Sequence, residues 1–222
     1  MKPTFILTAL FLFINSLSAQ NATIWNIDNL NSIGGYAIMV TGEPKIVQSD
    51  LGNALEFHSA SSDRIQIPSF PLANAQEFTI EVIFKPYAMD SLAGPRFFHI
   101  CKNGGTDKNT ITLETRYNSR GWYADYYIRQ VSDKGYINPA LTHPIDQWAH
   151  IALVYRNNSF KGYTNGNEEN SAAGNTDSLL PGANAEISLG GRMNNVNYFD
   201  GIILKVIFTP AALTPDKFTL PK

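Results

Sequence analysis

Cysteine is almost absent: Cys101 is the only one in 222 residues. An internal disulfide is therefore excluded, and stability in an oxidising compartment must come from packing. The lone thiol reads as a small buried hydrophobe in a strand. A nucleophilic role would need a base, and only His99, two residues away on the same face of an extended segment, stands near it. Charge is also sparse, at 16% of residues, with 17 basic and 19 acidic side chains interspersed to a formal net charge of −2. No run of Lys or Arg is present to track a phosphate backbone, which argues against a nucleic-acid partner. Spacings of the H-x-H or H-x-x-x-H kind are missing, so nothing points to a transition metal. There is no internal repeat, low-complexity tract or linker, and residues 21–222 read as one domain.

Long apolar runs are confined to the start of the chain. Lys2 is followed by an apolar stretch from Phe5 to Ile14 and then by Ser16, Ser18 and Ala19. That order marks residues 1–20 as a signal peptide, with cleavage expected after Ala19 or Gln20. No stretch reaches the roughly 20 apolar residues of a membrane span, and no Cys stands at the cut to accept a lipid. The mature protein is expected to be soluble, secreted or periplasmic. Losing Lys2 leaves 16 basic against 19 acidic residues, a formal charge of −3.

What is abundant is sheet-forming material. Runs rich in β-branched and aromatic residues occupy 78–86, 97–102, 110–117, 121–130, 148–156, 160–166, 185–191 and 201–208, with turn formers at 103–105, 118–121, 155–159 and 164–167. This predicts an all-β chain. Only residues 210–218 suit a short helical turn, expected to follow Pro210 and to be limited by Pro215. Alternation assigns faces. Ile111, Leu113 and Thr115 share a core face, leaving Thr112, Glu114 and Arg116 to solvent; Trp122, Ala124, Tyr126 and Ile128 alternate with Tyr123, Asp125, Tyr127 and Arg129. Residues 151–155 and 202–208 are apolar on both faces, as in strands covered on both sides. Two stacked antiparallel sheets satisfy both patterns.

Six phrases then fall in a recognisable order: ALEFHSASSDRIQIP (54–68), EFTIEVIFKP (77–86), HICKNGG (99–105), WAHIALVY (148–155), GYTNGNEE (162–169) and ISLGGRMNNVNYFDGIILKVIFTPAALTP (187–215). Over residues 54–215 the chain resembles a laminin G-like domain of the concanavalin A-like lectin and glucanase group. The resemblance implies a two-sheet antiparallel jelly-roll sandwich with one concave sheet face that often meets carbohydrate. The group holds lectin-like modules, glucanases, polysaccharide lyases and protein-binding domains, so it implies no single activity. The chain departs from the pattern at Leu204 and Lys205, where an acidic pair is usual, and at Ile83, where Trp is frequent.

Candidate chemistry centres on residues 110–130. If these two strands pair across the NSRG turn, Glu114, Arg116, Tyr123, Asp125, Tyr127 and Arg129 form one ligand-binding patch. Aromatic rings stack on the apolar face of a pyranose, and charged groups hydrogen-bond its hydroxyls. The alternative is a cross-strand ion-pair array worth a few tenths of a kcal/mol per pair. An enzyme on the same residues would draw on His99, Glu114, Arg116 and Tyr127. Glu77 and Glu81 have the period-2 spacing of a glucanase acid pair, but Thr79 stands where the central Asp would be. His150 reads as a core histidine and His143 as a residue of a groove rim. The resemblance also brings in a structural Ca²⁺, with Asp63 and Asp200 at acidic loop positions. Turn chemistry is the alternative for both. Two sequons, Asn21-Ala-Thr23 and Asn157-Asn158-Ser159, matter only where the source glycosylates proteins. The sequence thus points to a glycan- or polysaccharide-binding module, with a lyase or hydrolase as the alternative and a protein-interaction domain as a further one.

Overall fold

Period-2 alternation in the longest runs determines the architecture. In a computed structural model, residues 21–73, 75–90, 94–102, 110–129, 133–157, 159–173 and 182–221 are described. The expected signal peptide and Asn158 of the second sequon lie outside them. The strands in chain order are β1 (Thr23–Asn26), β2 (Ser32–Ile33), β3 (Tyr36–Ala37), β4 (Met39–Thr41), β5 (Lys45–Ser49), β6 (Gly52–Phe57), β7 (Arg64–Ile67), β8 (Phe78–Pro86) and β9 (Arg96–Lys102). They continue with β10 (Thr110–Asn118), β11 (Gly121–Arg129), β12 (Asp133–Ile137), β13 (Ala149–Arg156), β14 (Ser159–Thr164), β15 (Asn167–Ala173), β16 (Ala185–Leu189) and β17 (Gly201–Thr209). One sheet runs β15-β14-β13-β8-β17-β6-β5, with β1 added on β17, and the other runs β12-β11-β10-β9-β16-β7-β4. All these pairings are antiparallel; β2 and β3 make a separate small hairpin. Among the described residues there is no α-helix, and no helix long and apolar enough to cross a membrane.

The core lies between the sheets. Phe78, Ile80, Val82 and Phe84 of β8 face it from the first sheet, and Ile111, Leu113, Trp122 and Tyr126 from the second. Phe84 stacks on Phe97 at a ring separation of 4.2 Å and meets Trp122 edge-on at 5.3 Å. Burial of such rings is the main stabilising term in a chain without disulfides. Cys101 is buried and is in no disulfide.

The first sheet is covered on its outer side as well, which explains the strands that are apolar on both faces. The segment after β17 crosses it: Ala212 and Phe218 pack on Ala152, Val154 and Tyr163, while Thr79 Oγ1 donates to the Ala211 carbonyl at 2.8 Å and accepts from Leu213 N at 2.9 Å. Beneath this strap His150 and Glu81 form a fully buried pair at 2.8 Å, and Glu81 also accepts Thr219 N at 2.7 Å. His150 is thus a core histidine. The helical turn near the C-terminus corrects the sequence expectation: it is a 3-10 turn over Pro215–Lys217, so Pro215 opens it instead of limiting it. Proline suits the first helical position because the N–H it lacks would be unpaired there.

Candidate ligand-binding face

The second sheet carries its polar residues on the outer face. The β10–β11 register pairs Glu114 with Asp125, Arg116 with Tyr123 and Thr112 with Tyr127, as a hairpin closed by the 118–121 turn requires. Arg116 ties the patch together. Its Nε and Nη2 donate to Asp125 Oδ2 at 3.1 and 2.9 Å, and Nη2 also donates to Glu114 Oε2 at 2.9 Å. Arg96, which the sequence reading missed, donates from Nε to Glu114 Oε1. Parity hides Arg96, because it lies an odd number of residues from His99 and so reads as facing the core. A bulge corrects this: Leu113 pairs with Phe98 but Glu114 with Arg96, so Phe97 is the extra residue and joins Phe98 in the core.

The polar face is not the solvated one that alternation suggests. His99, Thr112, Glu114 and Asp125 are all buried. Two segments close over this end of the sheet. Gly94 lies against the Arg116 guanidinium, and Arg96 N bonds the Asn197 carbonyl at 2.9 Å. Met193 N donates to His99 Nδ1 at 3.3 Å, leaving the imidazole proton on Nε2 when neutral. Burial raises the Glu114 carboxyl above the usual carboxylate range, with Arg96 and Arg116 opposing. Burial also raises Asp125, against the bonds from Arg116. Tyr123 and Tyr127 are half-buried.

Glu114, Arg116, Asp125 and Tyr123 are therefore brought together, with Tyr127 two residues beyond Asp125 on the same face of β11, while His99 and Tyr127 are held apart from each other. Thr112 lies between them, pairing with His99 on one side and Tyr127 on the other, so their backbones stand two strand spacings, about 10 Å, apart. Arg129 ends β11 opposite Thr110, and its side chain lies outside the described residues. The same face continues across β7 and β16. Arg64 Nη1 donates to Gln66 Oε1 at 3.0 Å, Arg64 Nη2 to Thr41 Oγ1 at 3.3 Å, and Gln66 Nε2 to Glu186 Oε2.

The remaining candidates lie elsewhere. Glu81 holds His150 on the first sheet's outer side, and Glu77 pairs with Arg156 at the surface. His143 Nε2 bonds Glu169 at 2.6 Å, Thr164 donates to the other oxygen of Glu169 at 2.7 Å, and Tyr126 joins Thr164 at 3.0 Å. Asp63 accepts Glu43 N at 2.6 Å and His58 N at 2.9 Å, and Asp200 accepts Ser59 N together with Ser59 Oγ at 2.9 Å. The two carboxylates thus brace one turn, with N–H donors on both. Among the described residues no group of three or more His, Cys, Asp or Glu is placed to hold a metal ion. A cavity of about 460 Å³ lies at the tip of the β10–β11 hairpin, lined by Met89, Tyr117, Arg120 and Pro144 among others.

A family model described as the concanavalin A-like lectin/glucanases superfamily, of laminin G type, matches residues 59–217. No curated protein matches the chain. Among solved structures, domain 4 of AbnA, a GH43 extracellular arabinanase from Geobacillus stearothermophilus in complex with arabinotriose, is 19% identical with a TM-score of 0.67. The match covers 90% of this chain and 97% of that one. The binding domain of Paraclostridial Mosquitocidal Protein 1 is 15% identical with a TM-score of 0.66, covering 89% of this chain and 50% of that one. The receptor binding domain of botulinum neurotoxin D is 15% identical with a TM-score of 0.63, covering 88% and 50%. At these identities the likeness establishes a shared fold.

Proposed function

The chain belongs to the concanavalin A-like lectin/glucanases superfamily, and on that footing we propose that it is an exported glycan-binding module whose ligand lies on the outer face of the second sheet. The observation that carries this reading is the convergence of Arg116, Arg96, Glu114 and Asp125 beside the half-buried rings of Tyr123 and Tyr127. Rings that present part of a face stack on sugars, and guanidinium groups fixed by buried carboxylates donate to sugar oxygens without losing further freedom. An arabinotriose-bound relative of the same fold supports the choice of ligand. Export rests on the apolar and small-residue pattern of residues 1–20.

Affinity electrophoresis against plant, algal and host polysaccharides tests the proposal. Retardation by at least one polymer is expected, and Tyr127→Ala should weaken it while the melting temperature stays within a few degrees. Retardation by none of them, or binding indifferent to Tyr127, would refute the reading.

The raised Glu114 carboxyl favours a second reading, a lyase or hydrolase on the same residues, since a protonatable carboxyl beside arginines suits acid catalysis. New reducing ends or unsaturated products from the same polymers, lost in Glu114→Gln, would establish it.

A further inference from the structure

We infer that the cavity at the tip of the β10–β11 hairpin is a second binding site, for a small zwitterion with an apolar body: a free amino acid with a large apolar side chain, or a dipeptide built on one. The site takes a different ligand from the glycan proposed above and does not depend on it.

Two opposite charges stand on the wall of one cavity without meeting. The space is about 460 Å³, within the roughly 300–1,000 Å³ of small-molecule sites, and both Asp90 and Arg120 line it. Both residues are exposed, so a ligand can reach them. Among the described residues neither forms an ion pair, with the other or with any third group. Arg96, Arg116 and Arg156 place their charge against carboxylates, whereas Arg120 donates from Nη2 to a neutral acceptor, the Pro139 carbonyl, at 3.1 Å. That bond holds the guanidinium without neutralising it, and leaves Nε and Nη1 for a ligand.

The walls are held in place by the chain itself. Asn118 Nδ2 donates to the same Pro139 carbonyl at 3.2 Å, and Asn118 Oδ1 accepts Arg120 N at 2.9 Å, which fixes the hairpin tip. Trp122 Nε1 donates to the Pro144 carbonyl at 3.1 Å, and Gly121 lets the His143 carbonyl oxygen come so near that a Cβ would stand 2.1 Å from it. Asp146 N bonds the Pro86 carbonyl at 2.8 Å, tying the Pro144–Ile145 wall to the segment that carries Met89. A site already in place loses little freedom on binding.

The rest of the lining selects the body of the ligand. Tyr117 and Ile145 pack on the core and also line the cavity, together with Met89 and Pro144. A sugar would have to strip its hydroxyls of water against these groups, which is unfavourable for each hydroxyl left unpaired. An apolar side chain loses no polar contact there, while its ammonium meets Asp90 and its carboxylate meets the Arg120 fork through charge-assisted bonds. A ligand with one charge satisfies one of the pair and is repelled by the other.

The test follows amide shifts of the full protein by NMR as five probes are added: L-tryptophan, tryptophylglycine, tryptamine for the ammonium alone, indole-3-propionate for the carboxylate alone, and glycine for the charges without the body. L-tryptophan or tryptophylglycine should shift residues 88–90, 117–121 and 145, and should bind about threefold or more tightly than each of the other three. Whichever of the two binds tighter tells a free amino acid from a dipeptide. Arg120→Gln should reduce the better zwitterion to the level of tryptamine, and Asp90→Asn to that of indole-3-propionate. Both side chains are exposed, so the fold should survive. Should either variant fail to fold, the comparison of probes on the wild type carries the test. Tryptamine, indole-3-propionate or glycine binding as tightly as the better zwitterion overturns the inference, as do shifts confined to other parts of the chain or no binding by any probe. No polysaccharide enters the experiment, so each of these outcomes leaves the glycan reading standing.

Discussion

Gly94 lies flat against the guanidinium of Arg116: a Cβ added there would stand 2.4 Å from Arg116 Cζ and 2.6 Å from Glu114 Oε2. Gly94 also has a φ of +61°, in the left-handed region that favours glycine. A flexible arginine would ordinarily swing aside, but this one is pinned by Asp125 and Glu114. Gly94→Ala should therefore cost about 1–3 kcal/mol of stability and loosen Arg116 as well. Chemical denaturation and affinity electrophoresis on the same sample check both effects. Unchanged glycan binding in this variant would show that the fixed position of Arg116 does not matter to the ligand.

The buried carboxyls make stability depend on pH in a definite direction. A carboxyl whose folded-state pKa is raised holds its proton longer when folded, so its contribution is fully present below the unfolded value. That contribution is lost as pH climbs through the raised value. For Glu114 the window opens at an ordinary value of 4.5 and extends upward, with burial as the main cause and Arg96 as the main opponent. Across that window wild type should lose stability relative to Glu114→Gln as pH rises, as urea unfolding at a series of pH values would record. An advantage of wild type that grows with pH would mean that the arginines outweigh burial.

Under the C-terminal strap, Glu81 and His150 form a pair with no access to water, and Glu81 also anchors Thr219. Breaking one side strands the other in an apolar setting. Glu81→Ala should cost about 3–5 kcal/mol in urea unfolding, and the double variant Glu81→Leu, His150→Leu markedly less. Equal losses in both would mean that the pair itself is the source of stability.

The sheet pattern was legible because alternation in 78–86, 110–117 and 121–129 needs only local chemistry. The 118–121 turn likewise determined the register that joins Glu114, Asp125 and Arg116. Arg96 was not legible, since the bulge at Phe97 inverts parity and shows only once β9 is paired with β10. Nor was the burial of the polar face, which depends on residues 94–96 and 192–197 folding back over it from distant points in the chain. Composition marks Glu114 as charged and hence exposed. Only the neighbourhood of two arginines makes a buried carboxylate affordable there.

Amide shift mapping by NMR during addition of the best-binding oligosaccharide would locate the proposed glycan site on the outer face of β10 and β11. The perturbed amides should cluster at Arg96, at residues 112–116 and at residues 123–127. Perturbation confined to the hairpin-tip cavity around Tyr117 and Arg120, or to the strap over Tyr163, would contradict it.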